Sequence, residues 1–405
     1  MRGKSNGSFL LFLAGQGVLN LGEAIRFIAV TVLIYKLSGS GMTAAAGAAI
    51  AALPSIIGSP FSGVLGDRMN ESRILIATDI VRFFTVPLFL YANKVSFIYL
   101  LLVVISLLDV IYGPSRKKFI LGLTGKDKAL EANSRLIGVS GAAYLVGPML
   151  AGMLTDLYGP APAIIIAALC CLVSCIMTTT AVAVCGGYKG IRGYEAGGRK
   201  DSFASQLLSG IGYCRSADFI RELLIIGVIT GFCTISVNLS FYPFAFDVLS
   251  VTAKGWSLMV TVYYGTNLIA MLLVGCFDRK RRRKSSGGAL FYLCLALVSV
   301  IWLQYSYVRS YPAVLLLQFV EGTAIAVCGI LSAARYQKHT DRRFMARVSG
   351  IGDIAGSVGR LAGMGCTALI TWYFRFSDVF IASGILLLVF VLVSLTNSVW
   401  MRNDQ

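Results

Sequence analysis

Twelve runs of apolar residues alternate along the chain with short polar or charged interruptions. They fall near 9–35, 42–66, 74–93, 95–113, 133–156, 160–184, 222–246, 255–277, 287–307, 311–333, 347–374 and 376–400. A helix needs about 20 apolar residues to cross the hydrocarbon core at 1.5 Å per residue, so each run predicts one membrane-spanning helix. Turn chemistry separates several of them, Ser38-Gly39-Ser40-Gly41 between the first two and Gly159-Pro160 between the fifth and sixth. One sizeable polar stretch, Gly186 to Arg221, divides the runs into two sets of six. Its first half is rich in Gly and Arg and reads as a linker. Its second half carries Phe203, Leu207, Leu208 and Ile211 at roughly helical spacing, which predicts an amphipathic helix on the membrane surface. The expected architecture is all-α and integral to the membrane: a six-helix bundle over 1–185, a cytoplasmic linker with an amphipathic helix over 186–221, and a second six-helix bundle over 222–405.

Composition narrows the function classes. With 57% hydrophobic residues, 14% charged residues and a mean hydropathy of +0.77, the chain is too apolar for a soluble globule. The ten cysteines lie mostly inside apolar runs (Cys170, Cys171, Cys175, Cys294, Cys328) and read as small packing residues. The single histidine, His339, and the lack of a zinc-type cysteine spacing argue against a metal, and no phosphate-cradling G-x-x-x-x-G-K-[ST] occurs. No cofactor and no catalytic constellation is expected, so the chain reads as a non-enzyme. The first run is too long, and lacks a small-residue cleavage site, to be a removed signal peptide.

The formal charge of +17 could suggest a nucleic-acid partner, but its placement decides otherwise. Of 36 Lys and Arg, 28 fall on the termini and the even-to-odd connections, 5 on the opposite connections (Lys36, Lys94, Lys254, Arg309, Arg375) and 3 within spans (Arg26, Arg82, Arg360). Basic residues accumulate on the cytoplasmic side, so both termini are expected to be cytoplasmic and the excess is a topology signal. Nucleic acid is not an expected partner; the lipid bilayer is.

The charged hairpin Gly63-Val64-Leu65-Gly66-Asp67-Arg68, with Arg73 six positions past Asp67, recurs 211 positions later as Gly275-Cys276-Phe277-Asp278-Arg279. The stretch from Arg135 through Gly138, Gly141 and Gly147-Pro148 to Gly152 can be laid on Arg347, Gly350, Asp353, Gly359-Arg360 and Gly363 at an offset of 212. Two halves of six spans in the same orientation form a parallel repeat.

The G-x-x-x-D-R loop between runs 2 and 3 resembles the signature of the major facilitator superfamily of transporters. Gly15-Gln16, Tyr35-Lys36-Leu37-Ser38-Gly39-Ser40, Leu53-Pro54, Asp79 with Arg82, and Glu131-Ala132-Asn133-Ser134 resemble its bacterial branch of macrolide-efflux proteins and the enterobactin exporter. Gly147, Pro148 and Gly152 are similar to the helix 5 motif of the family's antiporters; the plainer reading is that these glycines permit tight helix packing. Two departures stand out. Asn70 and Glu71 replace the Gly and Arg of the loop pattern, and helix 4 lacks the Arg that many proton-driven members carry.

Ionisable residues at membrane depth point to function, since each costs about 2.5–3.5 kcal/mol at the bilayer centre. Gln16, Asn20, Glu23 and Arg26 fall along one side of helix 1. Glu321 with Gln318 in helix 10, and Arg360 with Asp353 and Ser357 in helix 11, lie similarly deep. The resemblance implies that helices 1, 4, 7 and 10 line a central cavity, with Asn238 and Tyr242 from helix 7 and Tyr263 from helix 8 contributing or flanking. Glu23 paired with Arg26 could be only an insertion device. The sharper reading is that Glu23 or Glu321 takes a proton, since desolvation and a neighbouring Arg act oppositely on a carboxylate. Asp109, read as lying at the cytoplasmic end of helix 4, is grouped with Gly63, Asp67, Arg68, Arg73, Asp278 and Arg279 as a cytoplasmic gate; Asp79 and Arg82 are read as structural.

The expectation is a monomeric secondary transporter of the bacterial cytoplasmic membrane. It would export a bulky amphipathic molecule (a drug, macrolide-like compound or siderophore) by alternating access in exchange for protons. The alternatives are a lysophospholipid transporter of the same superfamily and a non-transporting membrane sensor.

Overall fold

The computed structural model describes residues 2–68, 70–125, 128–185, 218–278, 287–340 and 345–397. Among them twelve helices are long and apolar enough to cross a membrane, and no strand occurs. We number them α1 (Arg2–Ser38), α2 (Gly41–Arg68), α3 (Glu71–Thr85), α4 (Val95–Thr124), α5 (Ala129–Tyr158), α6 (Pro160–Val184), α7 (Asp218–Pro243), α8 (Ala253–Asp278), α9 (Gly287–Tyr305), α10 (Tyr311–His339), α11 (Met345–Tyr373) and α12 (Phe376–Asn397). The stretch Ser202–Cys214, expected to be amphipathic, lies outside the described residues.

The expected turns terminate their helices. Gly39 closes α1 at φ +66 with its N–H on the Tyr35 carbonyl at 2.7 Å, and Gly159 closes α5 at φ +81 before Pro160 opens α6. A left-handed residue at a helix end favours glycine because it carries no Cβ. Asn70 and Glu71, the departures from the loop pattern, start α3. The Asn70 carboxamide oxygen accepts from the backbone N–H groups of Ser72 (3.1 Å) and Arg73 (3.3 Å), and Glu71 lies in the acid-favouring first turn.

Three spans differ from their expected outlines. The third is α-helical only to Thr85 and continues as a 3₁₀ turn over Val86–Tyr91, because Pro87 supplies no N–H to an α-helical ladder. The seventh passes at Pro243 into a π-turn over Phe244–Val248. The fourth does not stop at residue 113; α4 runs through Pro114 and the basic Arg116-Lys117-Lys118 to Thr124.

The chain forms two compact units, Met1–Gly198 with Val251–Thr261, and Arg199–Ser250 with Val262–Gln405. In the first, α1 packs on α4, α5 and α6, and α3 on α4 and α6. In the second, α7 packs on α10, α11 and α12, and α9 on α10 and α12. These are the same helix pairs six positions on, which is the packing form of the sequence repeat. The close approaches use small residues: a Cβ on Gly147 of α5 would sit 2.7 Å from Ala24 Cβ of α1, and one on Gly363 of α11 would sit 2.5 Å from the Phe232 carbonyl oxygen of α7.

Candidate functional site

In the first unit the polar residues converge on Arg82 of α3, which is 2% exposed. Its Nη1 lies 3.4 Å from Asp79 Oδ1, one turn back, and 3.7 Å from Glu23 Oε1 of α1. Its Nη2 donates to Asp109 Oδ1 of α4, and the guanidinium carbon stands 4.4 Å from the centre of the Tyr112 ring. Tyr112 Oη in turn accepts from Gln16 Nε2 of α1 at 2.5 Å. The other oxygen of Asp79, which is wholly buried, accepts from Ser174 Oγ of α6 at 2.9 Å.

One guanidinium thus faces three carboxylates contributed by three helices. Burying an ion costs several kcal/mol even after relaxation, so a buried arginine persists because the matching charge is buried with it. The three acids are not equivalent. Asp79 is sealed, whereas the side chains of Glu23 and Asp109 are 23% and 41% exposed. Arg26 and Arg116 also act on Glu23 electrostatically.

This arrangement corrects two sequence readings. Glu23 pairs with Arg82 across the α1–α3 gap and not with Arg26 on its own helix. Asp109 is not at the cytoplasmic end of α4; the helix continues fifteen residues past it, and its carboxylate belongs to the Arg82 cluster. Asn20, one turn from Glu23, donates to Ser140 Oγ of α5 at 2.8 Å. Gln16 is fully buried with its Oε1 unpartnered among the described residues. Gly147 and Gly152 lie where helices touch: Gly147 against α1, and Gly152 where a Cβ would overlap Ser257 of the same unit. Pro148 sits inside α5 beside them.

In the second unit Glu321 of α10 is 4% exposed and carries no counter-ion among the described residues. Both carboxylate oxygens instead accept from α9, one from Trp302 Nε1 and the other from Tyr305 Oη, each at 2.7 Å. The Tyr305 ring is packed edge-on to Phe241 at 4.7 Å between centroids, with Phe380 and Phe244 completing the cluster. Phe241 is therefore a core residue, and Tyr242, expected to line or flank a cavity, is buried next to it. Gln318 is buried with its Oε1 unpartnered among the described residues.

The remaining expected residues are dispersed. Arg360 of α11 donates to Ser357 Oγ at 2.9 Å and lies against Gly231 of α7. Ser357 reaches the Asp353 backbone carbonyl and not its carboxylate. Tyr263 packs edge-on to Tyr264, and Asn267 Nδ2 donates to the Gly322 carbonyl at 3.3 Å, tying α8 to α10. Asn238 is exposed, as is Arg73. The surroundings of Gly63 and the side chains of Asp67, Arg68 and Asp278, and all of Arg279, lie outside the described residues. Reading the sequence missed Tyr112, Ser174, Trp302 and Tyr305. The available signal was the i, i+3 pairing of polar groups, Asp79 with Arg82 and Trp302 with Tyr305, inside otherwise apolar runs.

Among curated proteins the chain is similar to macrolide efflux protein A of Streptococcus pyogenes, 22% identical over 284 residues covering 68% of each chain. It is also similar to YfiS, an MFS-type transporter of Bacillus subtilis, 27% identical over 146 residues covering 36% of this chain and 35% of that one. Among solved structures it resembles a variant of the nucleoside transporter NupG, with a TM-score of 0.74, 11% identity, and 95% and 99% of the two chains covered. An auto-inhibited peptide transporter of the POT family gives a TM-score of 0.70 at 10% identity, covering 98% and 96%. At those identities the structural likeness speaks to the fold alone. The model of the Major Facilitator Superfamily matches residues 9–363, and with twelve membrane-length helices among its described residues the chain belongs to that superfamily of membrane transporters.

Proposed function

We propose that this transporter exports a bulky, partly apolar small molecule across a bacterial cytoplasmic membrane by alternating access, in exchange for protons. The observation that supports the proton step is the convergence of three carboxylates on the one guanidinium of Arg82. Asp79 is sealed and Asp109 is hydrogen-bonded, while Glu23 is held at only 3.7 Å and keeps 23% of its side chain exposed. In a low-dielectric setting like charges around one counter-ion favour a proton on one of them, and Glu23 is the acid placed to gain and lose it. Glu321, the other candidate from the sequence, has both oxygens occupied by neutral donors and is assigned a structural role. The likeness to macrolide efflux protein A supports export of a large, mostly apolar molecule. The loops around Asp67, Arg68 and Arg73, and around Asp278 and Arg279, are assigned to closing the cytoplasmic side.

The test uses proteoliposomes and radiolabelled erythromycin. Wild-type protein should accumulate it when a proton gradient is imposed. Glu23→Gln should lose that dependence while retaining exchange down a concentration gradient. Gradient-driven accumulation by Glu23→Gln equal to wild type would remove Glu23 from the coupling. Transport of sugars with no transport of erythromycin, or of a fluorescent lysophospholipid in its place, would overturn the substrate class.

A further inference from the structure

We propose that a cavity inside the second unit receives an uncharged apolar group of the exported molecule, seated against the Trp302 ring. The cavity, of about 250 Å³, lies among α7, α9, α10 and α12. Ile226, Phe291, Leu295 and Ile325 supply its apolar walls, and among the described residues no charged side chain lines it. Three hydroxyls, of Thr230, Thr234 and Ser332, belong to its lining, and that of Thr230 is already donated to the Ile226 carbonyl at 2.7 Å. An ion would find no counter-charge here, and a sugar too few hydrogen-bond partners. Sites for whole drug-sized molecules begin at roughly 300 Å³, so the space fits one ring system or chain of a larger amphiphile.

Gly329, also in the wall, is the independent observation. A glycine inside a helix costs about 1 kcal/mol relative to alanine, and elsewhere in α10 close packing explains it. A Cβ on Gly322, two turns earlier, would sit 2.6 Å from the Tyr263 carbonyl oxygen of α8. At Gly329 an added Cβ would meet nothing within 4 Å. Packing does not require this glycine; it leaves the volume in front of it open. The third wall feature is Trp302, which lines the cavity while its Nε1 donates to Glu321. Whatever occupies the cavity therefore bears on a donor that holds the buried acid in place.

This inference deepens the export reading and depends on it only for the identity of the occupant. It is tested by binding to the purified full-length protein in nanodiscs, with the uncharged aromatic amine N-phenyl-1-naphthylamine as probe. Energy transfer from tryptophan to the probe is read, and partition into protein-free discs is subtracted. Wild type should show a saturable component. Gly329→Leu, which extends into the cavity from a position where the new Cβ meets nothing within 4 Å, should weaken it at least about tenfold, and Gly329→Ala should weaken it less. Should Gly329→Leu not yield folded protein, Thr234→Leu fills the same space from α7. Saturable binding of unchanged affinity in either folded filling variant, or no saturable component in wild type, overturns the cavity assignment. Failure of erythromycin transport with the cavity binding intact would instead count against the export reading.

Discussion

Arg82→Met separates the buried part of the first-unit cluster from its exposed part. The substitution keeps an apolar side chain of similar length and deletes the guanidinium. Glu23 and Asp109, with 23% and 41% of their side chains exposed, can be resolvated when their partner is gone and so lose less. Asp79 cannot: it is 0% exposed and would keep only the Ser174 hydroxyl. Removing one member of a buried ion pair costs about 3–5 kcal/mol because the other is stranded, so Arg82→Met should lose about that much, most of it through Asp79. Adding Asp79→Asn removes the stranded charge and keeps a group that can still meet Ser174. The double variant should therefore recover most of the loss, with a coupling near the upper end of the roughly 0.5–3 kcal/mol range for contacting residues. Thermal unfolding of the detergent-purified proteins, followed by intrinsic fluorescence, reads the order. Wild type should be most stable, the double variant next and Arg82→Met least. Glu23→Gln in the Arg82→Met background should rescue little. The reasoning fails if Glu23→Gln rescues as well as Asp79→Asn, or if the double variant is no more stable than Arg82→Met alone.

Tyr305→Phe keeps the ring in the Phe241 and Phe380 cluster but takes one of the two donors from Glu321, and should cost about 1–3 kcal/mol. That loss should vanish in a Glu321→Leu background, which a double-mutant cycle on unfolding would measure. Gly147→Val drives a side chain into Ala24, 2.7 Å from the new Cβ, and should destabilise by about 1–3 kcal/mol. Ala24→Gly should restore part of the loss, and its failure to do so would place the strain elsewhere. A reporter enzyme fused after Lys284, within the six basic residues from Arg279, should read cytoplasmic; a periplasmic signal would reverse the assigned orientation.

The spans were legible because lipid imposes a length and an apolarity that few other segments share, and because Gly39 and Gly159-Pro160 mark their ends chemically. Their local irregularities were less so. The apolar run 95–113 ends at Gly113-Pro114 and a basic triplet, yet a helix can carry basic residues beyond an apolar run without unwinding, and α4 does this to Thr124. Which side chains meet was the least legible part. A membrane helix is apolar towards lipid and apolar towards its neighbours, so no amphipathic stripe reports its rotation. Glu23 and Arg26 share a face by helical period, but the partner of Glu23 depends on where α3 places Arg82, and nothing within α1 encodes that. The two units make the same point against each other. They share the helix pairings around α1 and α7 and around α3 and α9, and in both the pair formed by the third and fourth helices carries a polar link. In α3–α4 the link is an arginine to an aspartate; in α9–α10 a tryptophan and a tyrosine hold a glutamate. Small residues and apolar surfaces set the pairing, so it survives in the repeat, whereas the link rests on a few side chains that differ between the halves. In the first half three acids meet at Arg82, two of them partly open, whereas in the second a glutamate is closed in by two neutral donors; the proposed proton exchange is placed in the first half on that difference.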